Sequence, residues 1–367
     1  MKKIIKIILV NLVFLLLLME LIGFIGTKLQ LFAKNITPHL YGGIKMSEQT
    51  RFKRTEKDVW GAWRLPNIKS KQIVGNCINI TYETNEVGAR DDPFVNLKSN
   101  SIFLLGDSFA EGYGVEKNDS TSDLLEEKFG RDILNFSSST FGPLQYLLIY
   151  KNFKDKYDHE GIIIYFLPSN DFTDNDYAHW LTMDRSRYKP YFNINNNVLE
   201  PYFFPEAKKI YLNHSEKNKN KYLFLILDNF WSSNLLRTIR AKIVYRNKIS
   251  NHGYFYSTEK QQKNVLLAFK EITKIAKDKK ILFVLIPGLR EIKEFREKKY
   301  IYKKEFWYKE MIEMSKSKNI NMLDLMEYLP EDHKKIYATC DAHWSKFGEK
   351  WAAEIIYKTS IDKKIFN

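Results

Sequence analysis

Cysteine is nearly absent from this chain: 367 residues contain two, Cys77 and Cys340. Two are too few for a disulfide-built scaffold, and no Cys-x-x-Cys spacing exists for zinc or redox chemistry. A single Cys77–Cys340 bridge is conceivable in an oxidising compartment, but a pair of buried free thiols is the simpler expectation. Internal repeats and long low-complexity runs are also missing, which excludes solenoids and arrays. The balance is basic, with 58 Lys and Arg against 44 Asp and Glu and a net charge of +14. No compact Arg-rich patch accompanies that charge, so no nucleic-acid partner is expected. The lysines are spread along the chain and read as a solvated surface, with attraction to an anionic glycan or membrane as the alternative. What the chain has in quantity is apolar material, 44% hydrophobic and 15% aromatic, enough for a globular protein with a sizeable core.

The N-terminus carries the one long apolar run. Lys2, Lys3 and Lys6 precede Ile7 to Met19, Glu20 interrupts, and Leu21 to Phe24 resumes it. Counted through Glu20, the run approaches the roughly 20 residues that a bilayer crossing needs. No small-x-small cleavage signal follows promptly, because the next residues are Ile25-Gly26-Thr27-Lys28-Leu29. Residues 1–26 therefore read as an uncleaved signal anchor, with a cleaved signal peptide as the alternative. Lysines ahead of the run predict a cytoplasmic N-terminus and a body on the far side, that is, a single-pass inner-membrane protein facing the periplasm or cell exterior. Glu20 fits near the outer interface, as a snorkelling side chain, or in a helix pair.

Residues 27–76 are irregular, with Trp60 and Trp63 among charges, and read as a stalk packing back on the body. From Cys77 an alternating, β-branched stretch to Thr84 reads as a strand. A grammar of apolar strand then helix follows: strands at Ile102–Leu105, Ile133–Phe136, Gly161–Leu167, Ile281–Pro287 and Asn321–Asp324, with helices between them and a last helix at Ser345–Tyr357. Such alternation predicts an α/β fold with a parallel sheet of about five strands covered on both faces, occupying 77–367. The pattern breaks at about 172–256, an insertion dense in Tyr, Phe, Trp and Asn, which reads as a loop-rich lid or as a structural elaboration.

Ser108 leaves a strand on a tight turn that Gly106 permits, where backbone N–H groups can face a developing oxyanion. Alone, Asp107-Ser108 reads more readily as a helix cap than as a nucleophile. Asn170 ends another strand on the carboxyl edge, where its amide can donate to an oxyanion or simply form a turn with Asp171. The base must come from seven histidines. His159 precedes its strand and so lies on the wrong edge; His39, His214 and His252 sit in irregular polar stretches; His179 falls near the insertion. His333 beside Asp332 competes with His343, which Asp341 accompanies.

Taken in order, Gly106-Asp107-Ser108, Asn135 to Gln145, Ser169-Asn170-Asp171 and Asp341-Ala342-His343 resemble the sequence blocks of the SGNH/GDSL hydrolase superfamily. The resemblance extends from about Ile80 to Tyr357, including Thr84-Asn85-Glu86-Val87-Gly88-Ala89-Arg90-Asp91. It implies a flavodoxin-like three-layer α/β/α sandwich, with Ser108 as nucleophile, His343 as general base and acid, and Asp341 orienting the imidazole. It also implies an oxyanion hole built from the Ser108 N–H, an N–H of the second block and the Asn170 amide. Two departures stand out. Thr140 occupies the position where the family has glycine, so either its N–H or that of Gly142 is expected in the hole. Acid and base are separated by one residue where the commonest family form has two, a spacing also found among membrane-anchored and acetyltransferase-like members.

These readings predict a serine esterase that removes an O-acyl group, acetyl for preference, from an envelope glycan or a small ester, with no metal or organic cofactor. An O-acyltransferase of surface polysaccharide is the alternative, and aromatic faces in the insertion would suit sugar rings. A catalytically silent glycan-binding module of the same fold is the third reading.

Overall fold

A computed structural model describes residues 2–29, 31–32, 38–41, 54–57, 59–74, 77–98, 100–182, 188–195, 198–217, 229–245, 257–289, 291–292, 302–339 and 341–366. It opens with α1 (Lys2–Lys28), a 27-residue helix long and apolar enough to cross a membrane. Two antiparallel strand pairs follow, β1 (Arg54–Lys57) with β2 (Gly61–Arg64), and β3 (Lys69–Val74) with β4 (Ile78–Glu83). Then come β5 (Ile102–Leu105), α2 (Thr121–Phe129), β6 (Ile133–Asn135), α3 (Pro143–Phe153), β7 (Gly161–Phe166) and α4 (Pro168–Asp174). The insertion holds α5 (Tyr177–Thr182), the antiparallel pair β8 (Tyr191–Asn195) and β9 (Val198–Tyr202), α6 (Pro205–Lys217) and α7 (Ser232–Tyr245). The chain ends with α8 (Glu259–Ala276), β10 (Lys280–Leu285), α9 (Phe306–Met314), β11 (Ile320–Asp324) and α10 (Lys346–Asp362).

The central sheet runs β6-β5-β7-β10-β11, every neighbouring pair parallel. Counted along the core, that is the 2-1-3-4-5 order of flavodoxin-like folds, as the resemblance implied. β5, β7 and most of β10 are buried along their length, because parallel strands are covered on both faces and read as continuous apolar runs. Helices α3, α8 and α9 pack together, and α2 packs with α10, giving the two outer layers. Local signals set their ends. The Ser120 side chain accepts from Asp123 N–H to start α2, and Gly130 at φ 64° stops it. Ser345 likewise caps α10 by accepting from Gly348 N–H.

Three expectations need correction. The 27–76 stretch is more ordered than read: it contains β1, β2 and β3, and Trp60 and Trp63 are buried in the main core. Among its described residues the insertion is not loop-rich either. Trp180, Tyr188 and Tyr191 are buried in a small core of their own, with Tyr177 and Phe204 packed against it. These rings cover one another. Finally, Cys77 is exposed and disulfide-bonded, not a buried free thiol. The chain's one other cysteine, Cys340, lies outside the described residues.

Candidate active site

The strand order reverses between β5 and β7, and in open α/β sheets the crevice at the carboxyl ends of such strands receives ligands. β5 delivers Ser108 to that edge and β7 delivers Asn170. Gly106 is needed for close packing, since a Cβ there would stand 2.5 Å from the Ala110 Cβ and 3.0 Å from that of Tyr165. After it the chain coils tightly, with Glu111 N–H bonded to Asp107 O and Tyr113 N–H to Ser108 O, both at 3.0 Å.

His343 comes from the segment between β11 and α10. It is fixed by a bridge between Tyr337 and Trp344 and by a 2.9 Å bond from Ala338 N–H to His343 O. Its Nε2 lies 2.7 Å from Ser108 Oγ, and its Nδ1 meets Asp341 Oδ1, which also accepts from the His343 backbone N–H at 3.1 Å. The rings of Tyr113 and Phe109 pack on the imidazole at centroid distances of 4.2 and 5.2 Å. Burial pushes the Asp341 carboxyl up, but the hydrogen bond and charge of His343 outweigh it and hold the group below its usual range. Ser108, His343 and Asp341 are therefore brought together across a long stretch of sequence. His159 is not: it sits before β7, bonded to the Tyr150 hydroxyl at 2.9 Å, and burial lowers its pKa.

The residues expected on the oxyanion side lie on the turn after β6 and at the end of β7. Among the described residues no acceptor meets the backbone N–H of Ser108 or of Thr140. Thr140 adopts φ 76°, the left-handed region that favours glycine, at the position where the resembled family carries glycine. The Gly142 N–H donates instead to Gln145 Oε1 at 3.3 Å, at the start of α3. A Cβ on Gly142 would stand 2.4 Å from Asn175 Oδ1, so close packing explains that glycine. Asn170 spends one amide N–H on Asp107 Oδ2 at 3.0 Å, leaving its second. Burial pushes the Asp107 carboxyl up to about 6, against the Phe109 N–H and the Asn170 amide, which pull it down.

Two residues unforeseen in the sequence hold this turn. Glu111 accepts through Oε2 from both the N–H and the hydroxyl of Ser139, next to Thr140, and through Oε1 from the Tyr82 hydroxyl and from Arg64 Nη1. Arg64, from β2, also donates to Ser137 O at 2.8 Å and to Gly88 O at 2.9 Å. Arg90 grips the coil from the other side, donating to the carbonyls of Glu111, Gly112 and Val115. A charged residue three positions after Ser108, in an apolar coil, was the one available signal for Glu111. Arg64 gave none.

No family model matches this chain, and neither does any curated protein. Solved structures do match. The lipase Lip_vut3 from a goat rumen metagenome is 12% identical over 71% of this chain and 96% of its own, with TM-score 0.40. A lipase/acylhydrolase from Enterococcus faecalis is 12% identical over 73% and 97%, with TM-score 0.37. A family two carbohydrate esterase from Clostridium thermocellum is 11% identical over 74% and 66%, with TM-score 0.34. At such scores the sheet order and the site geometry stand on their own: a flavodoxin-like α/β/α sandwich with Ser, His and Asp gathered at its switch point.

Proposed function

We propose that this protein is a membrane-anchored serine esterase that removes O-acyl groups, acetyl for preference, from an envelope glycan or a related ester. The observation that carries this is the 2.7 Å contact between His343 Nε2 and Ser108 Oγ, with Asp341 on the opposite ring nitrogen. That arrangement takes the proton from Oγ as it attacks the acyl carbonyl. The oxygen that becomes negative is met by the N–H groups of Ser108 and Thr140 and the free amide N–H of Asn170. Collapse of the tetrahedral intermediate expels the alcohol, which takes the proton back from His343 and leaves the acyl group on Ser108. Water, deprotonated by the same imidazole, then releases the acid. α1 anchors the chain, and lysines on its N-terminal side set the catalytic body on the periplasmic or external face.

Ser108→Ala is expected to abolish p-nitrophenyl acetate turnover and fluorophosphonate labelling. Equal labelling of wild type and variant overturns the assignment. In the presence of oligosaccharide acceptors the expected product is free acetate; acetylated sugar as the main product replaces the hydrolase with an O-acyltransferase using the same acyl-enzyme.

A further inference from the structure

Helix α7 is built inside out. Among its described side chains, those buried are Trp231, just ahead of it, and the polar Ser233, Asn234 and Thr238, none more than 9% exposed. Turned outward are Leu236, Ile239 and Ile243, at 43, 44 and 70% exposure, spaced along one stripe of the helix. A helix covered by water would show the opposite pattern.

The buried face meets α1. Glu20 accepts from the backbone N–H of Trp231 at 2.7 Å through one carboxylate oxygen and from that of Ser232 at 3.0 Å through the other. It thereby caps the N-terminus of α7, where orphan N–H groups and the helix dipole favour an anion. Thr27 Oγ1 accepts from Asn234 Nδ2 at 2.9 Å. Gly23 lets the backbones touch: a Cβ there would stand 2.4 Å from the Trp231 carbonyl carbon. Gly23 and Thr27 form a small-x-x-x-small pair of the kind that joins helices in lipid, and polar contacts across the pair are a further mark of that setting. Trp231 packs edge-on against Phe24 at 5.3 Å, with the Lys28 ammonium 5.9 Å from both rings. Aromatic rings beside a lysine are typical of a bilayer interface.

Depth follows from helix geometry. Glu20 lies eight residues before the end of α1 at Lys28, or about 12 Å at 1.5 Å per residue, so α7 starts level with the apolar part of α1, not beyond it. Beside it, Leu17, Leu21 and Ile25 of α1 are 65, 54 and 46% exposed, continuous in character with the outward stripe of α7.

Given the reading of α1 as a membrane span, we infer that α7 is a second membrane-embedded element, seated beside the C-terminal half of α1 with Leu236, Ile239 and Ile243 against lipid. Glu20 is the carboxylate that docks it. The insertion thus holds the catalytic body close to the bilayer instead of letting it swing on a tether.

Spin labels on the full-length protein in phosphatidylethanolamine/phosphatidylglycerol vesicles test this. Single cysteines replace Leu12 in α1, Ile239 and Ile243 in α7, and the exposed Lys358 as an aqueous reference. Labels at positions 12, 239 and 243 are expected to collide with oxygen more than with a water-soluble nickel chelate, and the label at 358 to do the reverse. Aqueous behaviour at 239 and 243 with a lipid signal at 12 overturns the inference while sparing the anchor. Aqueous behaviour at 12 overturns both. Glu20→Leu keeps the span apolar and removes the cap; it is expected to shift the 239 label toward water with esterase turnover unchanged, and an unmoved label rejects Glu20 as the docking group.

Discussion

Arg64 and Glu111 form an ion pair 2.9 Å long in which each side chain is 1% exposed. One member comes from the strand pair that precedes the sheet, the other from the coil that carries the nucleophile. Their shared target is the turn ending in Thr140, since Arg64 holds Ser137 O and Glu111 holds Ser139. Charges buried this deeply are tolerated only while paired, and removing one partner costs about 3–5 kcal/mol. Arg64→Ala is therefore expected to destabilise the protein by that order in chemical denaturation. Glu111→Gln keeps the shape and loses the charge. It strips Arg64 of its partner and is expected to lose stability of the same order while remaining folded, and to lower kcat about tenfold to a hundredfold with little change in KM, by loosening the turn proposed to present an oxyanion donor. Unchanged kcat in a folded Glu111→Gln protein rejects the positioning role.

A β-branched residue in the left-handed region is strained by about 1–3 kcal/mol. Thr140 sits there with φ 76°, and the contribution proposed for it is a backbone N–H that glycine supplies as well. Thr140→Gly is thus expected to retain turnover within a factor of about three. Stability should be equal or higher by up to about 1 kcal/mol, because relief of strain outweighs the extra freedom of the unfolded chain. A loss of both turnover and stability would show that the threonine side chain, not its N–H, is what the turn requires.

The sheet was legible because each of its strands is a short apolar run ended by turn residues, and parallel strands leave no polar face to confuse the period. Ser108 and His343 were legible because their neighbours match blocks whose order has meaning. Arg64 was not, because its value lies in partners far along the chain, Glu111 and Ser137, that it meets only once the chain has folded. The choice between Thr140 and Gly142 was hidden as well: it depends on a backbone angle at one and on the Gln145 side chain engaging the other. In the insertion Tyr177, Trp180, Tyr191 and Phe204 pack on one another and leave no period to read, and the stripe on α7 is misleading unless lipid is its solvent.

Asp341 accepts from His343 twice, through the ring and through the backbone. Replacing it with asparagine keeps the size but permits an amide N–H to face Nδ1. That favours the tautomer whose Nε2 carries a proton and is useless toward Ser108 Oγ. Asp341→Asn is expected to reduce kcat by about 10³–10⁴ with the melting temperature nearly unchanged. A reduction smaller than tenfold would remove Asp341 from the triad and reopen the case for another carboxylate.

Glu349 joins the two helices of one outer layer: from α10 it accepts from Thr121 N–H, at the start of α2, at 2.9 Å, and from the Thr121 hydroxyl. Burial pushes its carboxyl from the ordinary 4.5 up to about 7, overcoming the bonds from Thr121, which pull it down. The folded protein therefore holds this proton more tightly than the unfolded chain does. The resulting stability is full below pH 4.5 and is lost as pH rises through 7. At 1.36 kcal/mol per unit the change is roughly 3 kcal/mol. Glu349→Gln keeps an acceptor for Thr121 and cannot titrate, so the stability lost between pH 4.5 and 8 should be smaller in the variant than in wild type by about that amount. Asp107, whose carboxyl burial raises to about 6, titrates in both proteins and cancels from the comparison. Parallel profiles in guanidinium denaturation would mean that Glu349 stays ionised in the folded protein and that Thr121, not burial, governs its charge.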